Sequence, residues 1–145
     1  MITAQDLIRK KGSDIFSVTR ETTVLEALKE MADKNLGALL VMEDEKVLGI
    51  LSERDCVRKV DLQGRTAQKT RVGEIMTERV LYVEGRQPLE ECMALMTAHN
   101  IRHLPVMEGN SLLGIISVRD VLKEIIDDQK SMISHLEHYI LGQRG

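Results

Sequence analysis

The chain has 145 residues, with 20 Lys and Arg against 23 Asp and Glu, a formal net charge of −3, one Phe, two Tyr and no Trp. At this length roughly 70% of the surface of the unfolded chain can be buried, so a real core is available. The near-balanced charge excludes the strongly basic field of a general polyanion binder, so no nucleic-acid partner is expected; no run approaches the roughly 18 apolar residues of a membrane span, so no membrane partner is expected either.

The opening MITAQDLIRKKGSD lacks the apolar core of a secretory leader. The two cysteines, Cys56 and Cys92, sit in apolar helical patterns and read as buried, unpaired thiols of a soluble cytoplasmic protein. A short strand is expected around Ile15–Val18. Val24, Leu28 and Met31, with Ala27 between them, recur at helical spacing and predict a helix over residues 23–34, started by Thr22 or Thr23. ALLVM (38–42) and VLGIL (47–51) flank EDEK and read as a hairpin of two largely buried strands. SERDCVRKV begins a second helix with Ser52 in the cap position, and polar DLQGRTAQKTR (61–71) reads as a linker.

The pattern then returns. Shifted by 65 residues, 18–55 falls on 83–120 without a gap: Val18 on Val83, Glu26 on Glu91, Met31 on Met96, Asn35 on Asn100, and Val41-Met42-Glu43 on Val106-Met107-Glu108. Two copies at a fixed offset imply a pseudo-symmetric pair. Each copy reads β-α-β-β-α, the second over residues 80–126, which makes the fold class α+β. Beyond Asp120 the apolar stripe continues through Leu122, Ile125, Ile126, Ile133, Leu136 and Ile140, predicting one helix of about twenty residues. Its excess over the repeat reads as a packing or dimer surface. The expected segments are 1–64 for the first copy with its lead-in, 65–128 for the second with the linker, and 129–145 for a helical extension. Met31, Met42, Met93, Met96 and Met107 read as packing residues, and His135 and His138 as surface residues without a metal site.

The repeated phrase GILSERD (49–55) and GIISVRD (114–120) admits two readings. Ser-x-x-Asp ahead of an apolar run is a capping box. Aspartate is short for the reach back to the cap, however, and the arginine between has no part in it. A nucleoside phosphate would use every piece: a carboxylate accepting ribose hydroxyls, a helix N-terminus and an arginine fork for phosphate, and a glycine keeping the wall flat for a purine.

The residues TTVLEALKEM…LGALLV…VLGILSERD and PLEECMALM…NIRHLPV…LLGIISVRD, with the lead-in VGEIMTERVLYV, resemble the CBS-domain pair, or Bateman module, over nearly the whole chain. The layout is similar to stand-alone prokaryotic pairs. The second copy keeps the family's Arg-His-Leu-Pro-Val pattern as Arg102 to Val106, whereas the first, Leu36 to Val41, lacks the arginine and the proline. The resemblance implies tandem CBS domains related by a pseudo-two-fold, with clefts that take Ser and Asp from one copy and a base-binding segment from the other. One cleft would join Ser117, Arg119 and Asp120 to Lys11, Asp14, Phe16, Gly37 and Ala38, with Lys11 reaching phosphate. The other would join Ser52, Arg54 and Asp55 to Thr77, Arg79, Leu81, Arg102 and His103, and its convergent positive charge suits a di- or triphosphate or a dinucleotide.

The function so implied is a regulatory module that binds adenine nucleotides (AMP first, ATP or NAD(P) as variants) and senses energy or redox state. It would form a homodimer and signal to an effector protein the chain does not identify. No nucleophile–base–orienter set and no carboxylate group spaced for Mg²⁺ is visible, so no catalytic residue and no catalytic cofactor are expected. The alternatives are a ligand-free homodimeric interaction module, in which Ser and Asp only cap helices, and a small nucleotide-processing enzyme.

Overall fold

A computed structural model of the chain describes residues 1–12 and 14–142. The first helix, α1 (Ala4–Lys11), opens with a capping box: Thr3 Oγ1 accepts from the Asp6 N–H at 3.2 Å, and Asp6 Oδ2 accepts from the Thr3 N–H at 3.0 Å. Its buried face is Ala4, Leu7 and Ile8, an i, i+3, i+4 set. Strand β1 (Ser17–Val18) follows, then α2 (Val24–Lys34), whose start Thr23 caps by accepting from the Glu26 N–H. Helix α2 stops at Asn35, which takes the left-handed conformation at φ 55° and caps the last turn. Strands β2 (Ala38–Glu43) and β3 (Lys46–Ser52) form the expected hairpin, turned by Asp44 and Glu45 at positive φ. Helix α3 (Glu53–Lys59) then leads into the linker.

The polar stretch 61–71 is more built than a plain linker. Asp61–Gln63 form a 3₁₀ turn, Thr70 is buried and donates from its hydroxyl to the Thr66 carbonyl at 2.7 Å, and Arg65 pairs with Glu74. A four-residue helix α4 (Val72–Ile75) follows. The second copy gives β4 (Val83–Glu84), α5 (Leu89–His99), β5 (His103–Glu108), β6 (Ser111–Ser117) and α6 (Val118–Gly142). Helix α6 has 25 residues, longer than expected. Asn100 ends α5 as Asn35 ends α2, at φ 53°.

Each sheet has three strands. In one the order is β1-β2-β3 and in the other β4-β5-β6; the outer short strand is parallel to the middle one, and the hairpin is antiparallel. Both hairpins carry an irregularity at the same repeat position, Val41/Met42 and Val106/Met107. Two cores result. One holds Val24, Met31, Leu39, Leu51, Val60 and Val72, the other Ala4, Leu7, Leu89, Met96, Leu104 and Ile116. Met31 and Met96 are fully buried, Met93 packs against the core edge, and Met42 and Met107 are only half-buried.

Packing does not follow the segments 1–64, 65–128 and 129–145 drawn along the repeated sequence. Residues 14–81 make one compact unit, and residues 1–12 join 82–142 in the other. The lead-in α1 therefore packs on the second copy: the Ala4 and Gln5 N–H groups donate to the Gln87 and Gly85 carbonyls at 2.9 and 2.8 Å. The linker's lead-in α4 packs on the first copy, where the Val72 N–H donates to the Thr22 carbonyl at 2.8 Å. Among the described residues no helix is long and apolar enough to cross a membrane.

Candidate functional site

In each unit the end of the hairpin hands the chain to a helix, and there the repeated Ser-x-Arg-Asp sits. Asp55 Oδ2 accepts from the Ser52 N–H at 3.2 Å while Ser52 Oγ accepts from the Asp55 N–H at 3.1 Å. Asp120 and Ser117 repeat the exchange at 2.9 and 3.1 Å. Aspartate is thus long enough to complete the box, contrary to the expectation. Thr3 and Asp6 at α1 make the same exchange, so the pattern starts a helix here outside the repeated phrase as well.

Asp120 has a further partner, a lysine from the far end of the sequence. Lys11, the last residue of α1, brings its Nζ to 2.7 Å from Asp120 Oδ2 and donates also to the Ile115 carbonyl at 2.9 Å. The pair is partly shielded, the two side chains being about a third exposed at 32% and 29%. Burial acts to raise the Asp120 pKa and is the largest single influence. The Lys11 ammonium and the Ser117 donors together outweigh it, so the carboxyl lies below its ordinary value. His103 is paired with Ser117 across the β5–β6 ladder. Burial lowers its pKa; the Asp120 charge pulls it up, and Lys11 and Arg102 push it down again. One turn further along, Lys10 reaches Glu124 at 2.9 Å, a nearly buried carboxylate that the sequence reading missed.

The unit of residues 14–81 has its own version. Asp55 Oδ1 lies 3.3 Å from Lys59 Nζ, one turn along α3, and Thr77 Oγ1 donates to Asp55 Oδ2 at 3.5 Å. Lys59 also donates to the Ile75 carbonyl at 2.9 Å, fastening α3 to α4. Its i, i+4 spacing from Asp55 was the signal that could have revealed it. So Lys11, Ser117, Asp120 and His103 are gathered in one unit, and Ser52, Asp55 and Thr77 in the other. Arg54 is half-buried on α3; Arg79 and Leu81 are exposed. Of the remaining predicted residues, Asp14, Phe16, Gly37 and Ala38 belong to the Asp55 unit, and Arg102 and Arg119, both exposed, to the Asp120 unit. Phe16 carries Lys34 Nζ 5.1 Å above its ring, and the Gly37 carbonyl accepts from the Glu53 N–H at 3.0 Å. The Arg102 carbonyl accepts from the Val118 N–H at 2.9 Å at the equivalent place.

A further expectation is corrected. Gly49 and Gly114 do not keep a wall flat for a purine; the chain itself fills the space. A β-carbon on Gly49 would meet the Thr77 carbonyl oxygen at 2.7 Å, and one on Gly114 would meet Ile8 Cδ1 at 2.8 Å. In the linker, Arg65 pairs with Glu74 at 2.6 Å and Arg71 donates to the Glu21 carbonyl at 2.9 Å. Both cysteines are buried and free, and burial, then the charges of Asp55 and of Glu91 respectively, pushes each thiol up to about 11. Among the described residues no three His, Cys, Asp or Glu side chains gather to hold a metal ion.

Comparison with known proteins accords with this architecture. The model of the CBS domain matches residues 4–62 and again 72–127. A CBS-domain structure from Burkholderia ambifaria MC40-6 is 49% identical, with a TM-score of 0.84 over 89% of this chain and 96% of its own. The mitochondrial CBS domain-containing protein CBSX3 of Arabidopsis thaliana is 34% identical over 149 residues, covering 97% of this chain and 72% of that protein. The CBS domain pair of protein MJ0100, in complex with 5′-methylthioadenosine and S-adenosyl-L-methionine, is 20% identical at a TM-score of 0.76, a likeness that bears on the fold alone.

Proposed function

This chain belongs to the CBS-domain family, with two copies of the domain, and we propose that it is a regulatory module that binds an adenine nucleotide where Lys11 meets Asp120 at the start of α6. AMP is the first candidate, and ATP and NAD(P) are the variants to compare with it. The bound state would report energy or redox status to an effector protein. The observation that carries the reading is the 2.7 Å contact between Lys11 Nζ and Asp120 Oδ2, partly open to solvent at the N-terminal end of a long helix. A nucleotide presents ribose hydroxyls, which a carboxylate accepts, beside phosphate oxygens, which an ammonium and first-turn N–H groups favour. The contacts of Ser117 and Lys11 both fall on Oδ2, and the ribose would bind through Oδ1. Arg119, one residue before Asp120, would add charge for phosphate. Ser52, Arg54, Asp55 and Thr77 would form a second, chemically distinct site, since Lys59 of α3 takes the place of Lys11 there.

A second reading has its own observation. Both capping boxes are complete, so Ser and Asp already have a structural role, and the chain could act as an interaction module without ligand. Calorimetry and thermal melts separate the two. At a hundred times the dissociation constant a bound nucleotide adds about 2.7 kcal/mol of stability. An Asp120→Ala change, removing two charge-assisted hydrogen bonds with some compensation by water, should weaken binding roughly 30- to 1,000-fold. Asp120→Asn keeps a cap acceptor and controls for folding. Equal binding by wild type and both variants would refute the site, and no response to AMP, ATP or NAD(P) would leave the ligand-free reading.

A further inference from the structure

Helix α6 outlasts its unit. Val121 and Glu124 are buried, but every described residue from Ile126 to Leu141 is exposed. Sixteen residues of helix thus stand exposed, a length at which an isolated helix in water is marginal. The exposed residues are not the polar set of a solvated helix. Leu122, Ile126, Ile133, Leu136 and Ile140 are 46, 48, 56, 59 and 56% exposed. Their spacing is a heptad: Ile126, Ile133 and Ile140 recur every seven residues at one core position, with Leu122 and Leu136 at the other and Gln129 between them.

We infer that this stripe is a parallel, in-register two-stranded coiled coil with a second copy of the chain. A β-branched residue at the first core position and leucine at the second is the combination that favours two parallel strands. In that register each core residue meets its own counterpart, so the apolar layers are Leu122, Ile126, Ile133, Leu136 and Ile140, and Gln129 faces Gln129 of the second copy. Paired amides can hydrogen-bond one another, and a single polar layer of this kind fixes the register. Each antiparallel alternative sets Gln129 against an isoleucine, Ile140 when Ile133 stacks on Leu136 and Ile133 when Leu122 stacks on Ile140, leaving an amide on an apolar partner. Flanking the seam, Glu137 lies next to Met132 of the second copy and Lys130 next to Ile125, so no like charges oppose, and the aliphatic stems cover apolar surface. The inference is independent of any nucleotide.

The test is disulfide trapping of the full chain without ligand. Cys56 and Cys92 are buried, so a cysteine introduced on α6 reports alone. Gln129→Cys should accumulate a covalent dimer under mild oxidation. Ser131→Cys, on the outer face, should stay monomeric, because α-carbons more than about 7 Å apart cannot be bridged. Adding Ile133→Asp and Leu136→Asp to Gln129→Cys should abolish the link while the melt of the two units persists, and sedimentation should then show loss of this contact. Equal linking at 129 and 131, a link that survives the two aspartates, or linking only between 129 and a cysteine at 133 or 140 would overturn the inference.

Discussion

Gly49 and Gly114 occupy the same place in the two copies, yet the structure predicts that a methyl group added to each will have different consequences. On Gly49 the new β-carbon would lie 2.7 Å from the Thr77 carbonyl oxygen and 3.0 Å from Met76 Sδ. That carbonyl cannot retreat freely, since it accepts from the Ile50 N–H at 3.0 Å while the Thr77 N–H donates back to Ile50 at 2.9 Å. On Gly114 the obstacle at 2.8 Å is Ile8 Cδ1, the far end of a side chain, and the next atoms stand at 3.5 and 3.7 Å. Overpacking against fixed neighbours costs about 1–3 kcal/mol, and losing a glycine restores about 0.4–1 kcal/mol through the unfolded chain. Gly49→Ala should therefore lose about 1–2 kcal/mol. An off-rotamer Ile8 costs about 0.5–1.5 kcal/mol, so Gly114→Ala should stay within about 1 kcal/mol of wild type. Urea unfolding reads the difference: at a slope of about 1–3 kcal/mol per molar, Gly49→Ala moves the midpoint by roughly 0.3–2 M. Equal shifts, or a larger one for Gly114→Ala, would refute the distinction between backbone and side-chain obstruction.

Asp120→Asn removes a charge but keeps a cap acceptor, and with Lys11 partly solvated it should cost about 1–2 kcal/mol at pH 7. Because the folded carboxyl titrates below its unfolded value of about 3.9, that contribution is whole above this pH and fades as acid takes the folded group through its own lower pKa; the gap between wild type and variant in urea unfolding should close in acid. Cys56 and Cys92, with thiols at about 11 and almost no exposure, should resist a thiol reagent at pH 8 and both react once the chain is denatured. Asn35 sits at φ 55°, where a β-carbon without a local hydrogen bond costs about 1–2 kcal/mol. Asn35→Ala should lower the thermal midpoint, while Asn35→Gly should hold it.

Most of the architecture was legible because the two copies vouch for one another. An apolar stripe at 23–34 that returns 65 residues later is a helix twice over, and Asn35 and Asn100 mark the ends of both. Helix α1 was passed over because eight residues in a charged segment carry little periodicity. Its signal was present in Thr3 and Asp6, the same cap spacing as Ser52 and Asp55. The partners of the capping carboxylates were harder. Lys11 and Asp120 are 109 residues apart, and Lys10 and Glu124 are 114 apart; no local rule joins them, and only the family likeness brought Lys11 forward. The glycines misled for a physical reason: their spacing announces a close approach to the strand but not what approaches. Here it is Thr77 and Ile8.

The placement of α1 also sets an order of events during synthesis. Residues 14–81 contain their own core and can close as soon as they leave the ribosome. Helix α1, made before that unit, cannot, because its partners in β6 and α6 are translated about a hundred positions later. A nascent chain arrested just after residue 81 has cleared the ribosome would thus carry one finished unit and an unhoused helix, Leu7 and Ile8 still in water.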